Sequence, residues 1–387
     1  MRFSNFVFAA TLAVSAGGLR AQTAAPAAPD AAASGPYKVL ADTKVGGEGG
    51  FDYVDCDSVG RKLYVVRSGR GTGRISTYDL DTLKLLKEIP ANGGHGVAVD
   101  PKSGHGFASS NPVVMFDTTT LEPIKSIQVE GSPDGLFYEP FKQQIYILSH
   151  SAPNVTVINA SDGSIAGTID LGGAPEEGQS DGLGHAYIDV ESGDNVAVVD
   201  CATLAVTGHY DISASGTGPA GLAMDAKNRI IFSYCRTPNV CVILNADTGK
   251  VLTTLPIGVG CDAAEFNPDT LEAFSSQGDG TLTVIKENSP TDFAVEQTVK
   301  TKTGAKCSTL DAKTGHVILT TTDYMAPATR PAGAAAGGGP GGGPGGPGAG
   351  PGGGGPGAGR RGGRGRGRGT PVPGSFQLIV VGKDATT

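Results

Sequence analysis

The chain has 387 residues, a formal net charge of −8, 61 glycines and no tryptophan. Its six cysteines form neither a C-x-x-C-H motif nor a C-x-x-C pair, which argues against covalent haem and structural zinc. No nucleophile elbow and no phosphate loop between a strand and a helix is present, so the sequence does not support those hydrolase and nucleotide-binding classes.

The N-terminus carries one arginine, Arg2, before the apolar run of residues 6–16 and a small-residue cleavage site after Ala21. This pattern is typical of a secretory signal peptide, and the run is shorter than the roughly 20 apolar residues that a membrane span needs. We predict a signal peptide at residues 1–21, an Ala/Pro linker at residues 22–36, and an exported protein that is periplasmic or secreted. A buried N-terminal helix is the alternative.

An internal repeat follows the linker. Segments such as HGVAVDPKSGHGFAS and AGLAMDAKNRIIFSY share a short apolar run, an acidic turn and a second β-rich run. Seven copies follow one another at intervals of 39 to 44 residues, close to the period of propeller blades. The copies begin at Asp52, His95, Asp134, Glu176, Ala220, Asp262 and Lys306.

A third and a fourth strand follow most copies, and the turn between them is rich in Asp, Asn and Gly, as in NVTVINASDGS. Helical periodicity is nowhere convincing. The sequence therefore predicts an all-β fold, a seven-bladed β-propeller of four-stranded antiparallel blades. This single domain spans residues 37–387.

The seventh copy stops after Asp323, where a Gly/Pro/Arg-rich segment begins. Such a composition buries too little apolar surface to offset its ordering entropy, so residues 324–374 are predicted to be a disordered insert in the last blade. The strand SFQLIVV after the insert then supplies the third strand of that blade. The segment YKVLADTKV, residues 37–45, supplies the fourth and closes the ring.

The second-strand segments LYVVR, IYILS, AYIDV and IFSYC precede strands like NVTVIN and turns like DTGKVLTTLPIG. In this the chain resembles the bacterial YVTN-type (YncE-like) family of seven-bladed propeller repeats, over residues 37–323 and 375–383. The resemblance implies the fold and an exported binding or scaffold protein, and it is a poor guide to chemistry. The polar fourth copy, PEEGQSDG, and the long insert depart from the family pattern.

The first residue of each innermost strand lies near one mouth of a propeller's central channel. This position predicts a binding site formed by Asp52, His95, Asp134, Glu176, Asp262 and Lys306. Its carboxylates can hold a divalent cation such as Ca²⁺, or a polar ligand in a negative field. The alternative is that these side chains are solvated or paired with neighbours, as Lys306 with Asp262 or Asp52.

Three functions are consistent with this architecture. The first is a non-enzymatic, monomeric protein without a tightly bound cofactor that binds a small ligand or a protein partner at the channel face. The second is a metal-dependent hydrolase of the lactonase kind, in which a metal on the carboxylate ring activates water and His95 shuttles protons. The third, a quinone-dependent dehydrogenase, is disfavoured because tryptophan is absent.

Other polar residues are expected to be structural. The aspartate of the first turns should accept local backbone N–H groups; it recurs at Asp57, Asp100, Asp181, Asp225 and Asp311. Five further histidines share no register and are expected to be ordinary: His105, His150, His185, His209 and His316. Cys235 and Cys241 flank a turn and form either a disulfide across a hairpin or two buried thiols.

Residues 326–374 carry six arginines and no carboxylate, so the rest of the chain has a net charge of −14. The cluster resembles RGG-type segments that bind nucleic acid, but it lacks interleaved aromatic residues. We expect no specific nucleic acid; an anionic lipid, a polysaccharide or the acidic body of the protein is the partner that the charge suits, and a spacer without a binding role is the alternative. The cluster consists of Arg360, Arg361, Arg364, Arg366 and Arg368.

Overall fold

A computed structural model describes residues 35–69, 72–325 and 370–383. These residues form 28 β-strands in seven four-stranded antiparallel sheets, together with one 3-10 turn, Glu191–Gly193. The sheets are the blades of a seven-bladed β-propeller, which confirms the predicted fold class. Within the described ranges, no helix is long and apolar enough to cross a membrane.

The first six blades each run from the innermost to the outermost strand in chain order. Blade 1 contains β2 (Gly50–Asp57), β3 (Lys62–Ser68), β4 (Arg74–Asp79) and β5 (Leu85–Pro90); blade 2 contains β6 (Val97–Asp100), β7 (His105–Ala108), β8 (Val113–Asp117) and β9 (Pro123–Ile127); blade 3 contains β10 (Pro133–Glu139), β11 (Gln144–Ser149), β12 (Val155–Asn159) and β13 (Ile165–Ile169).

Blades 4 to 6 repeat this order. Blade 4 contains β14 (Pro175–Ser180), β15 (His185–Val190), β16 (Asn195–Asp200) and β17 (Ala205–Asp211); blade 5 contains β18 (Thr217–Asp225), β19 (Ile230–Thr237), β20 (Asn239–Asn245) and β21 (Val251–Pro256); blade 6 contains β22 (Cys261–Asn267), β23 (Glu272–Gln277), β24 (Thr281–Ser289) and β25 (Asp292–Lys300). The polar segment of the fourth copy therefore does form an innermost strand, β14.

The seventh blade joins both ends of the propeller. It consists of β26 (Cys307–Asp311), β27 (His316–Thr321), β28 (Gln377–Lys383) and β1 (Tyr37–Lys44). Strand β1 pairs antiparallel with β28, and Tyr37 lies opposite Lys383. The predicted closure is thus confirmed, and the innermost strands contact one another in the cyclic order β2, β6, β10, β14, β18, β22, β26 and β2 again.

The ends of the predicted insert are ordered. Tyr324 bridges Pro371, and the Met325 N–H donates to the Thr370 carbonyl at 2.8 Å. These contacts extend the β27–β28 pairing beyond the blade into both ends of the predicted insert. Residues 326–369, which include the arginine cluster, lie outside the described residues, and the predictions about them stay predictions.

The turns between the third and fourth strands share one hydrogen-bond pattern. In blade 1, Asp79 Oδ1 accepts the Thr82 N–H at 2.8 Å, and the Leu83 N–H donates to the Asp79 carbonyl at 2.8 Å. Leu83 has a φ of 55°, and the matching residue of blade 5 is Gly249 at 69°. The turn needs a left-handed residue at this place, and glycine supplies it in blades 3 and 5, whereas leucine adopts this conformation in blades 1, 2 and 4.

The core lies between the faces of neighbouring blades. Tyr64 of blade 1 packs on Phe116 of blade 2 with their rings 5.4 Å apart, and both side chains are fully buried. Gly106 lies where a Cβ would come 2.2 Å from the Phe116 ring, so the close approach requires glycine. Burial of such aromatic faces fixes each blade against the next and sets the positions of the innermost strands.

Candidate functional site

β-Bulges interrupt the innermost strands of five blades at one mouth of the channel. A bulge leaves an extra residue unpaired and re-aims its side chain. The register shifts lie between Phe51 and Val54, Pro133 and Leu136, Pro175 and Gly178, Pro219 and Gly221, and Cys261 and Ala263. Four predicted site residues lie within these bulges: Asp52, Asp134, Glu176 and Asp262. The bulges therefore turn the carboxylates toward the channel.

Two histidines link three of these carboxylates. His95 Nδ1 lies 3.0 Å from Asp52 Oδ2 and 3.1 Å from Asp134 Oδ1. His150 Nε2 lies 3.1 Å from Asp134 Oδ2 and 3.0 Å from Glu176 Oε2. The five side chains form a continuous arc across blades 1 to 4.

Arginine and lysine complete the circle through blades 5 to 7. Arg236 Nη2 lies 3.1 Å from Glu176 Oε1 and also contacts Asp262. Lys306 Nζ contacts Asp262 and lies 3.2 Å from Asp52 Oδ1. The eight side chains form a closed circuit in which acids and bases alternate, and we call it the mouth ring: Asp52, His95, Asp134, His150, Glu176, Arg236, Asp262 and Lys306.

The structure brings all six predicted site residues into this ring. Their pairing agrees with the expected alternative, since Lys306 does contact both Asp262 and Asp52. Whether they bind a ligand stays a prediction.

Two members of the mouth ring were not predicted from the sequence. His150 directly follows β11, and Arg236 lies near the end of β19. A second strand that runs antiparallel to the first ends at the mouth where the first begins, so this second register position also faces the site. The expectation that His150 is ordinary was therefore wrong. The position at the end of each second strand was the signal that could have found both residues.

The charge of the mouth ring depends on its two histidines. When both histidines are neutral, four carboxylates face two permanent cations and the ring carries −2, and when both are protonated, four positive charges balance the four carboxylates. The hydrogen bond with Asp52 raises the pKa of His95. The contact with Glu176 raises the pKa of His150 to about 9. Both shifts show that the ring favours positive charge at the imidazole positions.

Burial raises the pKa values of the ring carboxylates, and neighbouring positive charges lower them. Burial alone raises the pKa of Glu176, but the hydrogen bond from His150 and the charge of Arg236 outweigh burial and hold the pKa below its usual range. Burial likewise raises the pKa of Asp52, and His95 and Lys306 outweigh it. At Asp134 burial prevails and raises the pKa, because only the two histidines oppose it.

A cavity of about 410 Å³ lies in the channel next to the ring and is lined by further carboxylates. Burial raises the pKa of Asp55 to about 7 and that of Glu265 to about 8, and it raises the pKa of Glu177 as well. Glu177 Oε2 accepts the Leu222 N–H at 2.7 Å. Among the described residues, no Lys, Arg or His forms an ion pair with these three side chains.

Three groups of side chains in the described part of the chain bring possible metal ligands within 4.8 Å of one another. All three lie in or beside the mouth ring. Imidazole and carboxylate ligands together suit divalent transition metals. The groups are Asp52, His95 and Asp134; Asp134, His150 and Glu176; and Asp52, Asp262 and Cys307.

The disulfide alternative for Cys235 and Cys241 is wrong. Both thiols are free and fully buried. Arg236 pairs with Asn239 across a turn of two residues, Thr237 and Pro238, and this register places Cys235 opposite Val240 and Cys241 opposite Tyr234. The cysteines are thus one residue out of register, and their side chains point to opposite faces of the blade, into different core clusters.

The turn aspartates have the predicted structural role. Asp57 accepts the Gly60 N–H at 2.7 Å, and Asp225 accepts the Lys227 N–H at 2.9 Å. Asp181 and Asp311 also pair with an arginine of the next blade, Arg229 and Arg61. These contacts tie neighbouring blades together at the face of the first turns.

No protein-family model and no curated protein matches the chain. Solved structures do match. A chain of a mitotic checkpoint complex has a TM-score of 0.62 at 12% identity, with 82% of this chain and 95% of that chain covered. A chain of Kuenenia stuttgartiensis hydrazine synthase has a TM-score of 0.52 at 16% identity, with 62% and 84% covered. At these identities the likeness shows the propeller fold alone.

Proposed function

We propose that the protein is a β-propeller binding protein that takes a cation at the mouth ring. The four carboxylates carry this proposal, because only two permanent cations oppose them, and the other two positive charges are protons on His95 and His150 that a bound cation can displace. The side chains of His95 and His150 are 41% and 42% exposed, so a ligand can reach them. A divalent ion, including Ca²⁺, or an organic amine supplies positive charge in place of these protons.

The channel beneath the ring supports the same ligand class. Asp55, Glu177 and Glu265 have no cationic partner among the described residues, and burial raises the pKa of each. A cation nearby stabilises their charged forms. A protein partner fits the proposal when it presents a lysine or arginine to the ring.

Calorimetric titration tests the proposal. Ca²⁺, Mn²⁺, Zn²⁺ and spermidine are each titrated into the wild type and into the double variant Asp52→Asn/Glu176→Gln, with neutral glucose as the control ligand. We expect at least one cation to bind the wild type, and the double variant to bind it at least about tenfold more weakly because two ring charges are lost.

Glu88→Gln is the matched control variant. Glu88 lies on the outermost strand of blade 1 and pairs with Arg74 at 2.6 Å, and neither residue belongs to the mouth ring. It should bind as the wild type does. Absence of any cation binding, or equal affinity in the double variant, overturns the proposal.

A metal-dependent hydrolase is the second candidate function. The groups that combine one histidine with two carboxylates favour it, because this set suits a metal that activates water. Hydrolysis of a lactone or an aryl ester by the metal-loaded wild type, lost in the double variant, supports this candidate. Cation binding without turnover of either substrate rules against it and leaves the binding function.

We also propose export and membership of the YVTN-type family. The support is the signal-peptide pattern of residues 1–21, which lie outside the described residues, and the seven copies at intervals of 39 to 44 residues. Expression of the full chain in a bacterium, followed by N-terminal sequencing of the periplasmic fraction, tests export. We expect a mature N-terminus at Gln22, and retention of the uncut chain in the cytoplasm contradicts the prediction.

A further inference from the structure

Each of the two ring histidines presents a single nitrogen to two carboxylate oxygens. His95 Nδ1 is 3.0 and 3.1 Å from oxygens of Asp52 and Asp134, and His150 Nε2 is 3.1 and 3.0 Å from oxygens of Asp134 and Glu176. One ring nitrogen carries at most one hydrogen, so a proton satisfies one of each pair of oxygens well and the other poorly. A metal ion accepts all three ligand atoms at once.

Asp134 connects the two clusters. Its Oδ1 faces His95 and its Oδ2 faces His150, so each oxygen of one carboxylate belongs to a different group of ligands. Two-metal sites hold their ions close together and share ligands between them. Asp134 has the position of such a shared ligand.

We propose that the arc from Asp52 to Glu176 binds two divalent transition-metal ions that share the Asp134 carboxylate. One ion is held by Asp52, His95 and Asp134, and the other by Asp134, His150 and Glu176. This inference rests on the proposed cation-binding function and makes it specific. The mixed nitrogen and oxygen ligands select Mn²⁺, Fe²⁺ or Zn²⁺ over Ca²⁺, which prefers oxygen ligands alone.

The opposite side of the ring is not part of this site. The third group contains Asp52, Asp262 and Cys307, but the Lys306 ammonium contacts both of its carboxylates. A fixed positive charge already lies where an ion would bind. Arg236 has the same effect between Glu176 and Asp262. The permanent cations thus confine the metal ions to the half of the ring that contains histidine.

The backbone holds the bridging residue in place. Asp134 lies in a β-bulge, and a Cβ on the following residue, Gly135, would come 2.7 Å from the Glu176 carbonyl. The strands of blades 3 and 4 therefore approach closely at this point, and only glycine permits it. Such a rigid frame keeps the two clusters at a fixed separation.

Manganese titration of the full chain tests the inference. The bound Mn²⁺ is counted by elemental analysis after desalting, and electron paramagnetic resonance distinguishes an exchange-coupled pair from isolated ions. The wild type should hold two ions per chain with a coupled spectrum. His95→Gln and His150→Gln should each hold one uncoupled ion, because each removes the nitrogen of one cluster. Asp134→Asn should lose the coupling.

His209→Gln is the matched control. His209 lies on the outermost strand of blade 4, with Nδ1 2.9 Å from Asn195 Oδ1, and its loss should leave two coupled ions. Circular dichroism verifies that each variant folds, and the two single histidine variants decide the matter even if Asp134→Asn does not fold.

The possible failures separate the two proposals. One ion per chain, or two uncoupled ions that Asp134→Asn retains, overturns the paired site and leaves cation binding intact. Binding of spermidine or Ca²⁺ without Mn²⁺ has the same meaning. Absence of every cation overturns both proposals.

Discussion

Arg61 of the first blade donates a hydrogen bond to Asp311 of the last blade, with Nη1 2.8 Å from Oδ1, although the residues are 250 positions apart in the chain. The Asp311 side chain is only 3% exposed, and Arg61 also pairs with Asp81 at the surface. The arginine thus fastens the two blades that meet where the propeller closes.

Loss of this arginine should destabilise the protein. Arg61→Ala leaves the buried Asp311 carboxylate without its charge partner, and removal of one partner of a buried pair costs about 3 kcal/mol. We expect the free energy of unfolding to fall by about that amount in a urea titration, provided that the transition is cooperative.

Lys87→Ala provides the comparison for this measurement. Lys87 pairs with Glu122, whose side chain is 66% exposed, and an exposed pair of this kind contributes at most about 1 kcal/mol. Equal effects of the two variants would show that the Arg61 pair does not hold the blades together.

The same aspartate should make stability depend on pH. Burial alone raises the pKa of Asp311, but the hydrogen bonds from Arg61 and Thr314 outweigh it, and the pKa lies below its usual value in the folded protein. A group with a lowered pKa stabilises the fold above its unfolded pKa of about 3.9 and loses this effect as the pH falls through the folded pKa. The free energy of unfolding should therefore fall less steeply below about pH 4 in Asp311→Asn than in the wild type. Parallel curves for the two proteins contradict this assignment.

Gln297 holds the N-terminal strand to the sixth blade. Its side-chain amide accepts the Tyr37 N–H at 2.9 Å and donates to the Tyr37 carbonyl at 2.7 Å. Gln297→Ala leaves two buried backbone groups without a partner, which costs about 2 kcal/mol. In the variant, the β1 amides should exchange hydrogen faster than in the wild type, and the increase should exceed that in the strands of blade 4. Unchanged exchange in β1 would show that its pairing with β28 is sufficient.

The thiols provide a chemical test of the corrected disulfide assignment. All six cysteines are free, and burial raises the pKa of Cys235 and of Cys241. Ellman's reagent should therefore react slowly with the folded protein and should count six thiols in denaturant without reductant. A count of four free thiols would show that two of the cysteines form a disulfide.

Periodicity made the architecture predictable. The copies from Asp52 to Lys306 start within three residues of the observed innermost strands, because every blade must bury the same two faces at the same spacing. The closure of blade 7 by β1 followed from the same count, since one strand lacked a partner and one blade lacked a strand.

The site was only partly predictable, because aligning the repeat copies compares one position of the repeat at a time and does not show which positions meet in space. Reading the first residue of each copy found Asp134 and Glu176, but His150 enters the ring from the second strand of its blade. Contact between side chains of the first and second strands depends on the β-bulges, and no residue pattern in the sequence predicted these bulges. The disulfide error has the same origin, since the register of a two-residue turn decides which of Cys235 and Cys241 faces which neighbour.

The closure of the last blade also completes the mouth ring. Lys306 directly precedes the innermost strand of blade 7, and Asp52 lies on the innermost strand of blade 1, so their contact crosses the boundary between the first and last blades. The same blade joins β1 to β28 at its outer edge. One blade therefore joins the two ends of the described propeller and the two ends of the ring.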